Sequence, residues 1–159
     1  MAISYDLEMA TPSSLTQFAH ELIDAGRSIG LFDTLATVEL LLSDGLRTRL
    51  GTWLQVYDPS PEPWQPVITD LGITPTVAAG FRLDKEQDIS EQQDDMVQLA
   101  SRLLGRVPGD AVLSGLDHIW LLRRNGDLSV SEREDIWPLE RLAALTQPFR
   151  RATHTFSSE

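Results

Sequence analysis

The stretch His118-Ile-Trp-Leu-Leu-Arg-Arg-Asn-Gly-Asp-Leu-Ser-Val-Ser131 constrains the fold of this chain more than any other. An Asn-Gly pair between two extended runs is the strongest short-range hairpin signal, because a type I′ turn needs φ > 0 at both central residues. Asn tolerates that conformation and glycine adopts it at no steric cost. Residues 118–131 are therefore predicted as two paired strands turning at Asn125-Gly126. Upstream, Val38-Glu-Leu-Leu-Leu-Ser-Asp-Gly-Leu-Arg-Thr-Arg-Leu50 carries Asp44-Gly45 in the corresponding place. The Leu40–Leu42 run suits helix or strand by itself, and the turn dipeptide with its β-branched neighbours favours strands over 36–42 and 47–57.

Around these hairpins the apolar periodicity alternates between strand and helix. Ile3, Tyr5, Leu7 and Met9 interleave with Ser4, Asp6 and Glu8, the period-two pattern of a half-buried strand. Thr11-Pro-Ser-Ser offers an N-cap with Pro12 in the first turn, and Leu15, Phe18, Ala19, Leu22 and Ile23 form a helical stripe closed by Gly26. Residues 58–66 hold four of the nine prolines and are read as an ordered surface loop pinned by Trp64. Another strand is predicted over 76–83. Ser90 and Gln93 have capping-box spacing ahead of a stripe of Met96, Val97, Ala100, Leu103 and Leu104 that ends at Gly105. A strand over 110–113 leads into the opening hairpin. Asp135 is read as the cap of a last helix through Leu139, Leu142, Ala143 and Leu145, and the tail from Arg150 carries little apolar content.

Three correspondences suggest an internal duplication: Tyr5-Asp-Leu-Glu8 with Phe81-Arg-Leu-Asp84, Ala25-Gly-Arg27 with Leu104-Gly-Arg106, and Asp44-Gly45 with Asn125-Gly126. The expected architecture is a single α+β domain over residues 1–159. It has a mainly antiparallel sheet of six or seven strands with two main helices on one face. Two strand-helix-strand-strand pseudo-repeats, about 1–57 and 76–131, precede a C-terminal helix and tail over 135–159.

Composition narrows the chemistry. The 159 residues contain no cysteine, which removes disulfides, thiolate nucleophiles and cysteine-based metal sites. No secretion signal or membrane-spanning stretch is visible, so a soluble, cytoplasmic protein is expected. The net charge of −11, from 24 acids against 13 bases, opposes binding to nucleic acid and anionic lipid and suits a basic partner. Of the histidines, His20 reads as solvated and His154 as inert in the tail. Asp117-His118 is a candidate dyad beside a strand end, where the plainer reading is a surface pair. No phosphate loop, dinucleotide fingerprint or nucleophile elbow is present, and neither metal nor cofactor is expected.

Two features stand out as candidate partner-binding elements. The acidic run that includes Asp88, Glu91, Asp94 and Asp95 has a plain reading as a helix start favoured by the macrodipole, and a sharper one as a docking face for a basic protein. Trp64, framed by prolines, is either packed on the sheet or an interface anchor.

The strand and turn motifs Ile3-Ser-Tyr-Asp-Leu7, Phe81-Arg-Leu-Asp84 opening an acidic helix, Gly109-Asp-Ala-Val-Leu113 and Trp120-Leu-Leu-Arg-Arg-Asn-Gly-Asp-Leu128 together resemble bacterial immunity proteins, in particular the family partnered with swarm-inhibition toxins. The resemblance implies a small cytoplasmic α+β protein that binds and blocks a toxin without catalysis. It transfers no active-site residue. The leading expectation is thus a non-enzymatic binding protein that neutralises a cognate, basic toxin. The alternatives are a small-molecule-binding or enzymatic domain with a pocket near Asp117 and His118, and a homodimer pairing through an exposed sheet edge.

Overall fold

The computed structural model describes residues 2–156. In chain order its elements are β1 (Ser4–Ala10), α1 (Leu15–Ser28), α2 (Val38–Leu42), β2 (Leu46–Arg47), β3 (Trp53–Tyr57), α3 (Pro66–Thr69), β4 (Val77–Arg82), α4 (Ile89–Leu104), β5 (Asp110–Gly115), β6 (His118–Arg124), β7 (Asp127–Val130), α5 (Leu139–Leu142) and β8 (Arg150–Arg151). They build one eight-stranded sheet in the order β2-β3-β4-β1-β5-β6-β7-β8, antiparallel at every pairing except β7 with β8. The crossover from β1 through α1 to β3 leaves β4 between its strands, and the one from β4 through α4 to β5 leaves β1 between its own. Two split β-α-β units therefore interlock, and β1 and β4 become inner strands paired on both sides.

Both long helices lie over one face. The apolar alternation of β1 sends Tyr5, Leu7 and Met9 into a core shared with Phe18, Leu22 and Ile23 of α1 and Met96, Leu99 and Leu103 of α4. Trp120 joins it through edge-to-face contacts with Tyr5 and Trp137, at ring-centroid distances of 5.1 and 6.2 Å. The hairpin forms as predicted, with Asn125 and Gly126 at φ values of 54° and 81°.

Within the region 36–42, Val38–Leu42 is a helix, not a strand. Thr37 caps it by accepting the Leu40 N–H at 3.2 Å, and Leu41 is buried against the core. Asp44-Gly45 consequently ends a helix: the Gly45 N–H bonds Leu40 O at 2.7 Å with φ at 87°, the closure of a left-handed C-terminal turn. That removes the correspondence with Asn125-Gly126 on which the second strand pair of the first pseudo-repeat depended. The span 47–57 is likewise broken. Thr48 and Thr52 close a tight turn, so only Leu46–Arg47 and Trp53–Tyr57 are strands.

Several helix ends move for local reasons. The first cap is Ser14, in a reciprocal box with Gln17, leaving Pro12 outside the helix. Gly26 sits inside α1, where a side chain would run into the Phe32 ring, and the helix continues to Ser28. Asp88, not Ser90, caps α4 by accepting the Glu91 N–H at 2.9 Å, while Gly105 ends it as expected. Asp135 is engaged by Arg133 at 2.8 Å, and α5 is one short turn beginning after Pro138. The tail is anchored through residue 156: β8 pairs with β7, and Phe156 packs on the sheet. Residues 157–159 lie outside the described residues.

Candidate functional site

The second face of the sheet is divided. On the β5–β6 side, Val112, Ile119 and Leu122 are covered by Val67, Leu71 and Ile73 from the segment after the prolines. Those aliphatic residues, not Trp64, hold that segment down; Trp64 is 72% exposed. On the β3–β4–β1 side Trp53, Gln55, Gly80 and Asp6 are half-buried around an open cleft, whereas Ala78 beyond them is fully buried, and the pairing register sets out the rows.

Three cross-strand rows are read from that register. Arg47, Trp53, Arg82 and Ser4 form the first, at the edge. Gln55, Gly80, Asp6 and Ser114 form the second, and Tyr57, Ala78, Glu8 and Val112 the third. A cleft of about 240 Å³ lies over Trp53, Gln55, Tyr57, Gly80 and Asp6, adjoining a cavity of about 860 Å³ between Arg47, Arg82 and Lys85 at the sheet end. Trp53 stands half-buried on this face with its indole N–H donating to Asp44 O at 3.0 Å.

The centre of the face is acidic. The Tyr57 hydroxyl donates to Asp6 Oδ1 at 2.8 Å, across Gly80, where an added Cβ would lie 3.4 Å from each of these side chains. Burial first, then the hydrogen bond to Asp6 and the charges of Asp6 and Glu8, push the Tyr57 phenol far above its ordinary range. Glu8 is half-buried, and desolvation together with neighbouring Asp6 raises its carboxyl above the usual value. Among the described residues no arginine, lysine or histidine forms an ion pair with Asp6 or Glu8.

The residues singled out from the sequence are dispersed by comparison. Asp88 is the α4 cap. Asp95 is buried and gripped by Arg49, Nη2 to Oδ1 at 2.6 Å and Nε to Oδ2 at 3.2 Å. Asp94 binds the buried Arg141 at 2.7 Å, and that guanidinium also donates to Ile136 O and lies 5.4 Å from the Trp120 ring centroid. Glu91 is exposed and forms none of the described ion pairs. The acidic helix start is therefore largely committed to the fold, and only Glu91 and Trp64 are exposed without such a role.

Asp117 is exposed in the β5–β6 turn at φ 66°, while the His118 ring faces the Arg133 guanidinium at 3.0 Å. A guanidinium only donates, so that ring nitrogen accepts, and the geometry joins His118 to Arg133 instead of Asp117. His20 is exposed, and His154 lies 3.1 Å from Ser129 Oγ. No group of three potential metal ligands occurs among the described residues, and no helix there is long and apolar enough to cross a membrane. Both sheet edges are two-residue strands carrying arginine, a form that resists edge-to-edge pairing.

The Asp6–Glu8–Tyr57 cluster had one trace in the sequence, the polar alternation of residues 4–8. Nothing local indicated that this strand would be central or that Tyr57 would arrive beside it.

Comparison with known proteins agrees with the resemblance carried by the strand and turn motifs. The profile of the SitI3-like family matches residues 3–141, from the start of β1 to Arg141 in α5. No curated protein and no solved structure matches the chain. The match takes in both interlocked crossovers, the hairpin and the arginine that ties α5 to α4, and on that coverage the chain belongs to the SitI3-like family, among the immunity proteins of swarm-inhibition toxins.

Proposed function

We propose that this protein is an immunity protein that acts in the cytoplasm and neutralises a cognate bacterial toxin by binding it, without catalysing a reaction. Membership of the SitI3-like family is the observation that carries the reading. The net charge of −11 suits a basic toxin, because complementary fields speed encounter. Affinity would rest on a few buried anchors. Of the residues marked from the sequence, Glu91 and Trp64 are the contacts carried into this proposal. Asp88, Asp94 and Asp95 would contribute to the field more than to contact, since each already has an intramolecular partner.

The test is a titration of the purified toxin encoded beside this gene with the full chain. Direct binding gives residual toxin activity that falls linearly and vanishes at a fixed molar ratio, with a complex recovered by gel filtration. Complete inactivation by a small fraction of an equivalent would show catalysis, and undiminished toxin activity at excess chain would overturn the immunity reading.

A further inference from the structure

We infer that the cleft on the second sheet face lined by Asp6, Gly80, Tyr57 and Trp53, with half-buried Glu8 beside it, is a docking surface that seats an arginine or lysine side chain of the bound protein. The inference rests on the binding reading above for the identity of the occupant, and on geometry for the place. Residues two apart on a strand point the same way and stand about 7 Å apart. Asp6 and Glu8 therefore present two carboxylates side by side on the central strand. The buried carboxylate Asp95 is neutralised from within, by Arg49 at 2.6 Å. Asp6 receives a neutral hydroxyl instead, and Glu8 receives no described hydrogen bond or ion pair.

Such a pair is left with an uncompensated charge that a cation from outside would satisfy by charge-assisted hydrogen bonds. The surroundings fit that cation. Gly80 adds no side chain between Asp6 and Tyr57, and Tyr57 and Trp53 line the same cleft with aromatic surface. Arg82 lines the Ser4 end of the same cleft, which leaves the Asp6 end as the place for a positive group. Charge complementarity thus fixes both the sign of the occupant and its position, and a segment of a basic protein is the occupant to which it points.

The experiment uses the full chain, with hexa-arginine as the probe and amide NMR shifts as the readout. Titration is expected to move Gln55, Tyr57 and Gly80 and the Trp53 indole N–H first. The Asp6→Asn/Glu8→Gln double variant should bind the probe about tenfold more weakly, whereas Glu39→Gln/Glu140→Gln, with the same loss of charge at exposed sites elsewhere, should change affinity less than about twofold. Shifts centred on the start of α4, shifts spread evenly over the acidic surface, or equal losses in the two double variants would overturn the site. Gly80→Arg, which tethers a guanidinium beside Asp6, should weaken probe binding in the same way; unchanged binding by it would count equally against the proposal. Neutralisation of the neighbouring toxin separates the two readings. If the wild type neutralises and Asp6→Asn/Glu8→Gln does so with unchanged affinity, the docking site fails and the immunity reading stands. If hexa-arginine seats at Asp6 and Glu8 but the wild type neutralises nothing, the immunity reading fails and the cation site stands.

Discussion

Tyr57 Oη and Asp6 Oδ1 lie 2.8 Å apart although 51 residues separate them in the chain. Their strands are not neighbours; β4 runs between them, and Gly80 at the intervening position leaves the line between the two side chains clear. The bond is half-exposed, so Tyr57→Phe should cost about 1 kcal/mol in urea unfolding. A loss of several kcal/mol would mean that the bond organises the fold and not only this surface.

Both tyrosines of the chain have phenols raised by burial, Tyr57 further by Asp6 and Glu8. The folded state holds these protons more tightly than the unfolded state, so their contribution to stability is present below the ordinary phenol value and is lost as pH climbs past it. Absorbance titration of the native protein should show no tyrosinate in the ordinary range near 10, whereas the urea-unfolded chain ionises there. A native phenol titrating at the ordinary value would contradict the arrangement.

Glu8 gives the same sign in a different window. Its carboxyl is raised above the usual 4.5 by desolvation and Asp6, so the proton is favoured in the fold and stability declines as pH rises from 4.5. Glu8→Gln should therefore raise the melting temperature near neutral pH, with the gain disappearing below 4.5. An equal gain at both pH values would point to packing instead of charge.

Neighbouring carboxylates on α4 should respond very differently to charge reversal. Arg141 is 4% exposed and is held by Asp94, so Asp94→Lys places like charges together at a buried guanidinium and should cost about 3 kcal/mol. Glu91→Lys should cost less, about 1 kcal/mol, since Glu91 is exposed and outside the described ion pairs and loses only its favourable place in the first turn and beside Arg49. Chemical denaturation of the two variants distinguishes them. Glu91→Lys is thus the informative probe of the helix start in toxin binding, because its effect is not mixed with unfolding.

Trp64 offers the converse separation of stability from binding. At 72% exposure it contributes little to the core, so Trp64→Ala should change unfolding free energy by no more than about 0.5 kcal/mol. As an interface anchor it should cost about 2 kcal/mol of toxin affinity, roughly a 30-fold rise in Kd by calorimetry. Unchanged affinity would remove Trp64 from the interface.

Local chemistry made much of the architecture legible. The Asn125-Gly126 turn, the alternation of β1 and the apolar stripes of α1 and α4 each reflect steric or periodic rules that act within a few residues, and each appears where the sequence placed it. The misreadings fall where local signals were balanced. Leu40–Leu42 suited either state until burial of Leu41 decided for helix, and Arg150–Arg151 had no strand signal until β7 supplied a partner.

The candidate site follows the same division. Alternation alone determined that Asp6 and Glu8 share the face opposite Tyr5, Leu7 and Met9, because successive strand side chains point to opposite sides. It did not determine that β1 would lie inside the sheet, that Val67, Leu71 and Ile73 would cover Val112 and Leu122, or that Tyr57 would reach Asp6 over a glycine. Those depend on pairings between residues more than fifty positions apart. The direction in which a side chain faces is a property of its own backbone, whereas its neighbours are chosen by long-range strand order, and only the tertiary structure sets that order.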